Sequence, residues 1–166
     1  MSYRCQTCGE EHDELPLVFG GPAPATWART PANVRSHELS ELGSDQCMIA
    51  GRAFFVRACL DLPIADHPEP FRWLVWIRVS VADMQDMAEH WETIGREATP
   101  PYEGELDSTL PGYEATLGLK VTLQTMPVGQ RPQVFVADAE HLLGREQRTG
   151  LDWASAQARS AALMHA

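Results

Sequence analysis

The stretch AFFVRACLDLPIADHPEPFRWLVWIRVSV, residues 53–81, decides the fold. Apolar residues alternate with other residues through both of its halves, so that one face of each half is apolar. These residues are Phe54, Val56, Ala58, Leu60 and Leu62, then Phe71, Trp73, Val75, Ile77 and Val79. A period of two over such lengths is typical of half-buried antiparallel strands. The connecting residues ADHPEP contain two prolines, so we expect two long strands joined by a turn.

Shorter strands and several helices are predicted on either side of this stretch. Strands are expected at residues 47–50, 117–123 and 133–137, and helices at residues 30–42, 138–148 and 152–165. The clearest helix follows the second long strand. Ser80 is its expected N-cap, and an apolar stripe follows at helical spacing. The stripe is formed by Val81, Met84, Ala88, Trp91 and Ile94. Residues 98–113 are expected to form a long loop.

Consecutive strands joined by short turns favour an α+β fold, with a mainly antiparallel sheet packed by helices. No glycine fingerprint stands between a strand and a helix, which argues against a dinucleotide-binding fold. We expect one domain over residues 1–166. Residues 1–25 would form a zinc-knuckle-like turn and a loop within it, without being an independent unit.

The charge of the chain excludes some classes of partner. The formal net charge is −10, from 23 acidic residues and 13 lysines and arginines. General nucleic-acid binding requires a basic surface, so it is not expected. A strongly negative charge favours solubility, and it can also attract a basic protein partner. No apolar run approaches the length of a membrane span, and no apolar segment follows Met1, so we predict a cytoplasmic protein without membrane contact.

The stretch YRCQTCGEEHDELP, residues 3–16, has the spacing of a metal site. Cys5 and Cys8 can direct two thiolates at one ion from a turn, Gly9 allows the chain to double back, and His12 can be a third ligand. A zinc ion needs a fourth ligand, and Cys47 is preferred because it stands at a strand entrance. The remaining candidates are Cys59, His37 and His141. A redox pair and two small residues in a tight turn are the alternatives for Cys5 and Cys8.

A second group of residues is basic. Arg57, Arg78 and Lys120 are expected on the strand faces opposite the apolar stripes, with Trp76 beside them. Such a cluster could hold a carboxylate or a phosphate, although pairing with nearby acids such as Asp61 is the ordinary alternative. His141 lies near a helix start, a position typical of active-site histidines. The predicted ligand-binding patch is therefore Asp45, Arg57, Arg78 and His141.

The order of these motifs resembles an uncharacterised bacterial domain-of-unknown-function family with an N-terminal CxxCGxxH motif. The motifs are CxxCGxxH with a nearby proline, DxC, FFxR, WxxW, PxY, an RP pair, a histidine followed by EQxxG, and a terminal histidine. In this chain they fall on Cys5, Cys8, Gly9, His12 and Pro16; Asp45 and Cys47; Phe54, Phe55 and Arg57; Trp73 and Trp76; Pro111 and Tyr113; Arg131 and Pro132; His141, Glu146, Gln147 and Gly150; and His165. The resemblance implies no established activity, but it draws attention to Asp45, Arg57, His141 and His165.

Three functions remain open from the sequence. The first is a small cytosolic binding module with a structural zinc site. The second is an immunity or inhibitor protein against a basic effector. The third is a metal-assisted hydrolase or transferase. The sequence has neither GxSxG nor HExxH, so it gives an enzyme little support.

Overall fold

The computed structural model describes residues 2–5 and 7–166. In this part of the chain the strands are β1 Tyr3–Arg4, β2 Glu11–His12, β3 Val18–Gly20, β4 Glu41–Leu42, β5 Gln46–Ile49, β6 Ala53–Leu62, β7 Phe71–Val79, β8 Tyr102–Leu106, β9 Lys120–Gln124 and β10 Gln133–Val136. The α-helices are α1 Ala25–Arg29, α2 Ala32–Arg35, α3 Val81–Glu89, α4 Leu142–Thr149 and α5 Trp153–Met164, and Arg96–Ala98 form a 3-10 turn. The fold is α+β, as predicted.

The two long predicted strands form the hairpin β6–β7 at the centre of the sheet. They pair antiparallel along their length, from Phe54 opposite Val79 to Leu62 opposite Phe71. From β7 the sheet continues through β8, β9 and β10, and β10 returns to pair with β6. The strands β6 to β10 therefore close on themselves, and we call them the strand ring. β3 extends the sheet from β7, and β5 and β4 extend it from β6.

Two pairings in this sheet are parallel and the others are antiparallel, which confirms the prediction of a mainly antiparallel sheet. One parallel pairing joins β3 to β7. The other joins β10 to β6 through one residue pair, Gln133 and Cys59, and the Cys59 amide also donates to the Pro132 carbonyl at 2.9 Å. This short pairing, which we call the seam, closes the strand ring.

The two faces of the β6–β7 hairpin contact different cores. Trp73 and Trp76 stand three residues apart in a strand, so their side chains point to opposite faces. Trp73 lies inside the strand ring, within a large apolar core that includes Leu60 and Val75. Trp76 lies outside it, in a smaller cluster with Cys47, Ile49 and Phe55 that is covered by Trp27 of α1 and Val34 of α2. One face of the hairpin therefore points into the strand ring, and the other points outward, where α1 and α2 cover it.

The helix predicted over residues 30–42 ends early, because α2 stops at Arg35. The Ser40 hydroxyl donates to the Val34 carbonyl at 2.8 Å and accepts from the Ala50 amide at 2.8 Å. Serine side chains that bind main-chain groups in this way compete with the helix. The next residues then pair as a strand, with Leu42 opposite Cys47.

The predicted loop over residues 98–113 contains β8, which the sequence analysis missed. Only five residues long, β8 is interrupted by Gly104, and both features weaken a strand pattern. The glycine is required here, since a Cβ atom would lie 2.5 Å from Ile77 Cγ2 and 2.8 Å from the Arg78 carbonyl oxygen of β7. The close approach of β8 to β7 therefore depends on Gly104, the same residue that makes β8 difficult to predict from the sequence.

Helix α4 begins four residues later than predicted. The Asp138 carboxylate accepts from the amides of Glu140 and His141, which forms a turn before the helix. His141 is then the N-cap. Helix α5 follows the prediction, with Asp152 as its N-cap and His165 as its C-cap.

Helix α3 has the predicted N-cap, because the Ser80 hydroxyl accepts from the Asp83 amide at 3.1 Å. Its predicted apolar stripe is wrong at both ends. Val81 and Ile94 are exposed, and Ile94 lies beyond the end of the helix at Glu89. In the part of the chain that the structure describes, no helix is long and apolar enough to span a bilayer.

Candidate metal centre

The residues of the CxxCGxxH motif form a small hairpin, which we call the knuckle. Strands β1 and β2 pair antiparallel, with Tyr3 opposite His12. The loop between them is closed by two main-chain bonds, from Cys5 N to the Glu10 carbonyl at 2.8 Å and from Gly9 N to the Cys5 carbonyl at 2.9 Å. Gly9 has φ +73°, in the left-handed region that other residues rarely adopt. The loop can therefore double back so that Cys8 and His12 meet.

The last turn of α5 lies against the knuckle. His165 Nε2 is 3.2 Å from Cys5 Sγ, and His12 Nε2 is 3.3 Å from Cys8 Sγ. The Tyr3 hydroxyl donates to Met164 Sδ at 3.4 Å, which adds a contact between the same two segments. One ligand atom from each of Cys5, Cys8, His12 and His165 lies within 4.8 Å of the other three. Residues 160 positions apart thus form one cluster.

The cluster has the composition and size of a tetrahedral metal site. Zinc binds thiolate sulfur and imidazole nitrogen at about 2.0–2.3 Å, which separates the four ligand atoms of a tetrahedron by about 3.3–3.8 Å. The two sulfur–nitrogen distances, 3.2 and 3.3 Å, are close to this range. Two sulfur and two nitrogen ligands are also a set that favours zinc. The residues therefore fit a metal, and we call them the four-residue cluster.

The surroundings of Cys5 favour its thiolate. Hydrogen bonding from the Cys8 main-chain amide is the largest influence, and the Thr7 amide, the His165 ring and the Cys8 thiol act in the same direction. Burial opposes them, and the net effect lowers the pKa of the Cys5 thiol to about 6. A metal ligand must be deprotonated, so a thiol that ionises this readily is suited to coordination.

Cys47, the predicted fourth ligand, is not part of this cluster. It lies on β5 in the outer apolar cluster, beside Phe55 and Trp76, and is 1% exposed. Burial raises its pKa to about 12, with the Asp107 carboxylate acting in the same direction. The position of Cys47 near the start of a strand does not determine the face of the sheet to which its side chain points. Here the side chain points to the covered exterior of the sheet. His165 occupies the position that the sequence analysis gave to Cys47.

The other proposed remote ligands also lie elsewhere. Cys59 is buried on β6. His37 accepts the Leu39 amide on its Nδ1 at 2.9 Å. His141 accepts the Leu143 amide on Nδ1 at 3.1 Å, so its Nε2 carries the proton that is donated to the Glu114 carbonyl at 2.7 Å. His141 therefore caps α4 and anchors a loop.

The predicted ligand-binding patch is only partly brought together. Asp45 and Arg57 line one cavity of about 490 Å³, and Arg131 Nε donates to Asp45 Oδ1 at 2.8 Å. Arg78 lies on the same sheet face as Arg57 but lines a different depression, beside Glu105 and Lys120. His141 lines neither. We call the first the arginine cavity.

Four arginines line the arginine cavity, and the predicted patch included only one of them. They are Arg57, Arg72, Arg96 and Arg131. Arg72 forms the ordinary cross-strand pair with Asp61, at 2.7 and 2.8 Å. Arg131 belongs to the RP pair noted in the sequence, which was its only signal. Arg96 had no such signal, because it stands in a short 3-10 turn after α3 that the sequence analysis did not predict.

The EQxxG residues have structural roles near α5. Glu146 accepts from the Tyr113 hydroxyl and from Arg159 Nη1 and Nη2, at 2.8 and 3.0 Å from the arginine. The side-chain amide of Gln147 forms two hydrogen bonds with the main chain of β10. It accepts from the Val136 amide and donates to the Val134 carbonyl. These contacts fix α4 and α5 on the strand ring, and α5 carries His165 to the knuckle.

A family model described as "Uncharacterized protein conserved in bacteria (DUF2199)" matches residues 4–151. The match contains Cys5, Cys8 and His12, and His165 lies beyond it. No curated protein and no solved structure matches the chain.

Proposed function

The chain belongs to the DUF2199 family of uncharacterised proteins conserved in bacteria, and we propose that it is a small binding module built around a structural zinc ion. The observation that carries the zinc proposal is the four-residue cluster, whose ligand atoms lie within 4.8 Å of one another. Cys5, Cys8 and His12 would hold the ion from the knuckle, and His165 from the end of α5. A reducing cytoplasm, which the cysteine usage favours, would keep both thiols available.

A zinc ion with four protein ligands has no open position for water or substrate, so the role proposed for it is structural. Coordination would join segments 160 residues apart in sequence. The metal-assisted hydrolase considered above needs Asp45, Arg57 and His141 in one pocket, and His141 lies elsewhere. That alternative is therefore not proposed.

The zinc proposal is tested by elemental analysis of protein purified without chelator. We expect about one zinc per chain, and far less in Cys8→Ser and His165→Ala. His37→Ala and Cys47→Ala are matched controls, because both residues were possible ligands by sequence alone and both lie outside the cluster. Less than about a tenth of an equivalent in the unaltered protein would refute the proposal.

The partner proposed for the module is a basic protein, because the chain carries a formal charge of −10. An immunity or inhibitor role against a basic effector is the specific form of this proposal. It is tested with purified basic proteins encoded beside the gene, by calorimetry at several salt concentrations. Affinity that falls steeply with salt supports the proposal, since exposed charges are screened within about 10 Å at 0.1 M salt. Failure of all these neighbours to bind at low salt would count against it.

A further inference from the structure

The arginine cavity is a positively charged site in an acidic protein. It is lined by four arginines and two acids, Asp45 and Glu92, and Asp61 nearby pairs with one of the arginines. The arginines therefore exceed the acids by one, whereas acids exceed lysines and arginines by ten in the whole chain. A concave site with an excess of one sign of charge attracts ligands of the opposite sign. Its charge thus favours an anion.

Two of the four arginines, Arg72 and Arg96, use their donors in hydrogen bonds within the protein. Arg72 uses Nε and Nη2 on the two oxygens of Asp61. Arg96 is buried and donates to four main-chain carbonyls, those of Trp91, Met126, Pro127 and Gln130, at 2.8 to 3.1 Å. It also lies over the Trp91 ring. Arg96 therefore fixes the cavity wall through neutral carbonyls, and it forms no ion pair among the described residues.

Arg57 and Arg131 retain free donors. Within the described part of the chain, Arg131 bonds only through Nε, to Asp45. Arg57 makes no ion pair among the described residues, and its Nη2 donates to the Gly21 carbonyl at 3.1 Å. Its guanidinium lies over the Trp76 ring, at 5.7 Å from the centroid. The buried Arg57 Nε has no hydrogen-bond partner in the described structure.

An unpartnered buried N–H is costly, and in native proteins such a group calls for an explanation such as an unseen ligand or water. Arg57 is held in place by Gly21 and Trp76, so its guanidinium is already oriented before any ligand arrives. Pre-oriented guanidinium groups match carboxylate and phosphate geometry well. Arg57 and Arg131 line the same cavity, so an anion bound there would supply acceptors near their free donors.

Cys59 adds a neutral group to the same wall. Burial raises the pKa of its thiol, and Arg72, Arg131 and Arg57 act on it from nearby in the opposite direction. A neutral thiol at this position adds no negative charge against an incoming anion. The remaining wall includes Trp91, Val128 and Pro132, which can contact an apolar ligand body. A volume of about 490 Å³ suits a small molecule.

We propose that the arginine cavity binds the carboxylate or phosphate group of a small molecule, with Arg57 and Arg131 as its main contacts. The formal charge of −10 disfavours long polyanions such as nucleic acids. The site includes no residue of the four-residue cluster, so it does not depend on the zinc proposal.

The test is an NMR titration of the unaltered protein with inorganic phosphate and, separately, with succinate, at constant ionic strength. We expect saturable shifts of the amides of Arg57, Cys59 and Gln133, which surround the cavity, with at least one of the two probes. A response to phosphate alone identifies a phosphate ligand, and a response to succinate alone a carboxylate ligand. No saturable shift with either probe up to about 10 mM overturns the proposal.

Two variants of Arg57 and one control extend the test. Arg57→Met should raise the dissociation constant at least about tenfold, and Arg57→Lys should raise it less, because lysine keeps the charge but loses the planar fork. Arg78→Met is the matched control, since Arg78 is on the same sheet face but lines a different depression. An equal loss in Arg78→Met would mean a general charge effect and overturn the site. Zinc content measured in each variant separates this result from any change at the four-residue cluster.

Discussion

In the strand ring, large side chains such as Phe71, Trp73 and Leu60 are at most 2% exposed, whereas in the described part of the knuckle only Cys5 is buried. The strand ring thus has an apolar core of its own, and the knuckle has two strands of two residues each. A hairpin of that size cannot stabilise itself by burial. The comparison teaches that the strand ring is stabilised by its own packing, whereas the knuckle depends on contacts outside itself, for which we propose the zinc ion.

The largest effect is expected from removing a side chain inside the strand ring. Trp73→Ala deletes a ring that contacts Phe19, Phe71 and Tyr113, and it should lower the free energy of unfolding by about 4 kcal/mol. Urea denaturation measures the change. Phe135→Ala, an exposed aromatic on β10, should cost about 0.5 kcal/mol or less. Equal losses in the two variants would contradict a core inside the ring.

A smaller effect is expected where the ring holds α5. Glu146 is partly buried, and this burial raises the pKa of its carboxyl, but hydrogen bonds from Arg159 and Tyr113 outweigh burial and leave the pKa below the usual value of 4.5. Glu146→Gln should therefore cost about 2 kcal/mol at pH 7.

The same lowered pKa sets a pH dependence. The stability contributed by Glu146 is fully present above about pH 4.5 and is lost as the pH falls through its lower folded value. The loss of stability on acidification should therefore be smaller in Glu146→Gln than in the unaltered protein. Glu140→Gln, at an exposed position before α4, is the control and should keep the original pH profile. An unchanged profile in Glu146→Gln would argue that the carboxylate is not stabilised in the folded state.

Removing the proposed zinc ion should affect the knuckle far more than the ring. After chelation, we expect hydrogen exchange of the amides of Cys5 and Gly9 to approach that of a free chain. The free energy of unfolding of the ring should fall by only about 1 kcal/mol, because the knuckle contacts the end of α5 through few and weak bonds, such as those of Tyr3 with Met164 and Cys5 with His165. Unfolding of the ring on chelation would contradict the conclusion that the ring is stabilised by its own packing.

The smallest effect is expected at Gly9. In Gly9→Ala the added Cβ atom would have no neighbour within 4 Å, so the only penalty is the left-handed backbone conformation. This penalty is about 1 kcal/mol, which should lower the zinc affinity roughly fivefold. Gly112 also has a positive φ with open space around it, but lies in the loop before Tyr113. Gly112→Ala should lower stability by a similar amount without changing zinc affinity. Competition with a zinc indicator measures both variants, and identical affinities would contradict the expected role of Gly9.

The sequence was most informative where one periodic segment determines one element. The alternation of residues 53–81 predicts β6 and β7 because a half-buried strand must alternate, and Asp152 predicts the start of α5 because its side chain caps the helix. β8 could not be predicted, because Gly104 and the nearby prolines suit a loop equally well. Its pairing with β7 depends on the rest of the ring.

The candidate site was predictable only within the short motif. Cys5, Cys8 and His12 lie within eight residues, so spacing alone brings them together. His165 joins them only because α4 and α5 are fixed on the ring by Glu146 and Gln147, which no local pattern reveals. In the same way, strand parity places Arg57 and Arg78 on one face, but it cannot tell that they line separate depressions.

The seam has a consequence for the order of folding. The β6–β7 hairpin joins residues close in sequence, whereas the seam joins Cys59 to Gln133, so its loop-closure entropy is larger. The hairpin should therefore form early and the seam late, which pulse-labelled exchange of the Cys59 amide can time. Cys59, Pro132 and Gln133 of the seam also line the arginine cavity. A nascent chain would therefore complete this wall late, and binding of the proposed anion would report that the seam has formed.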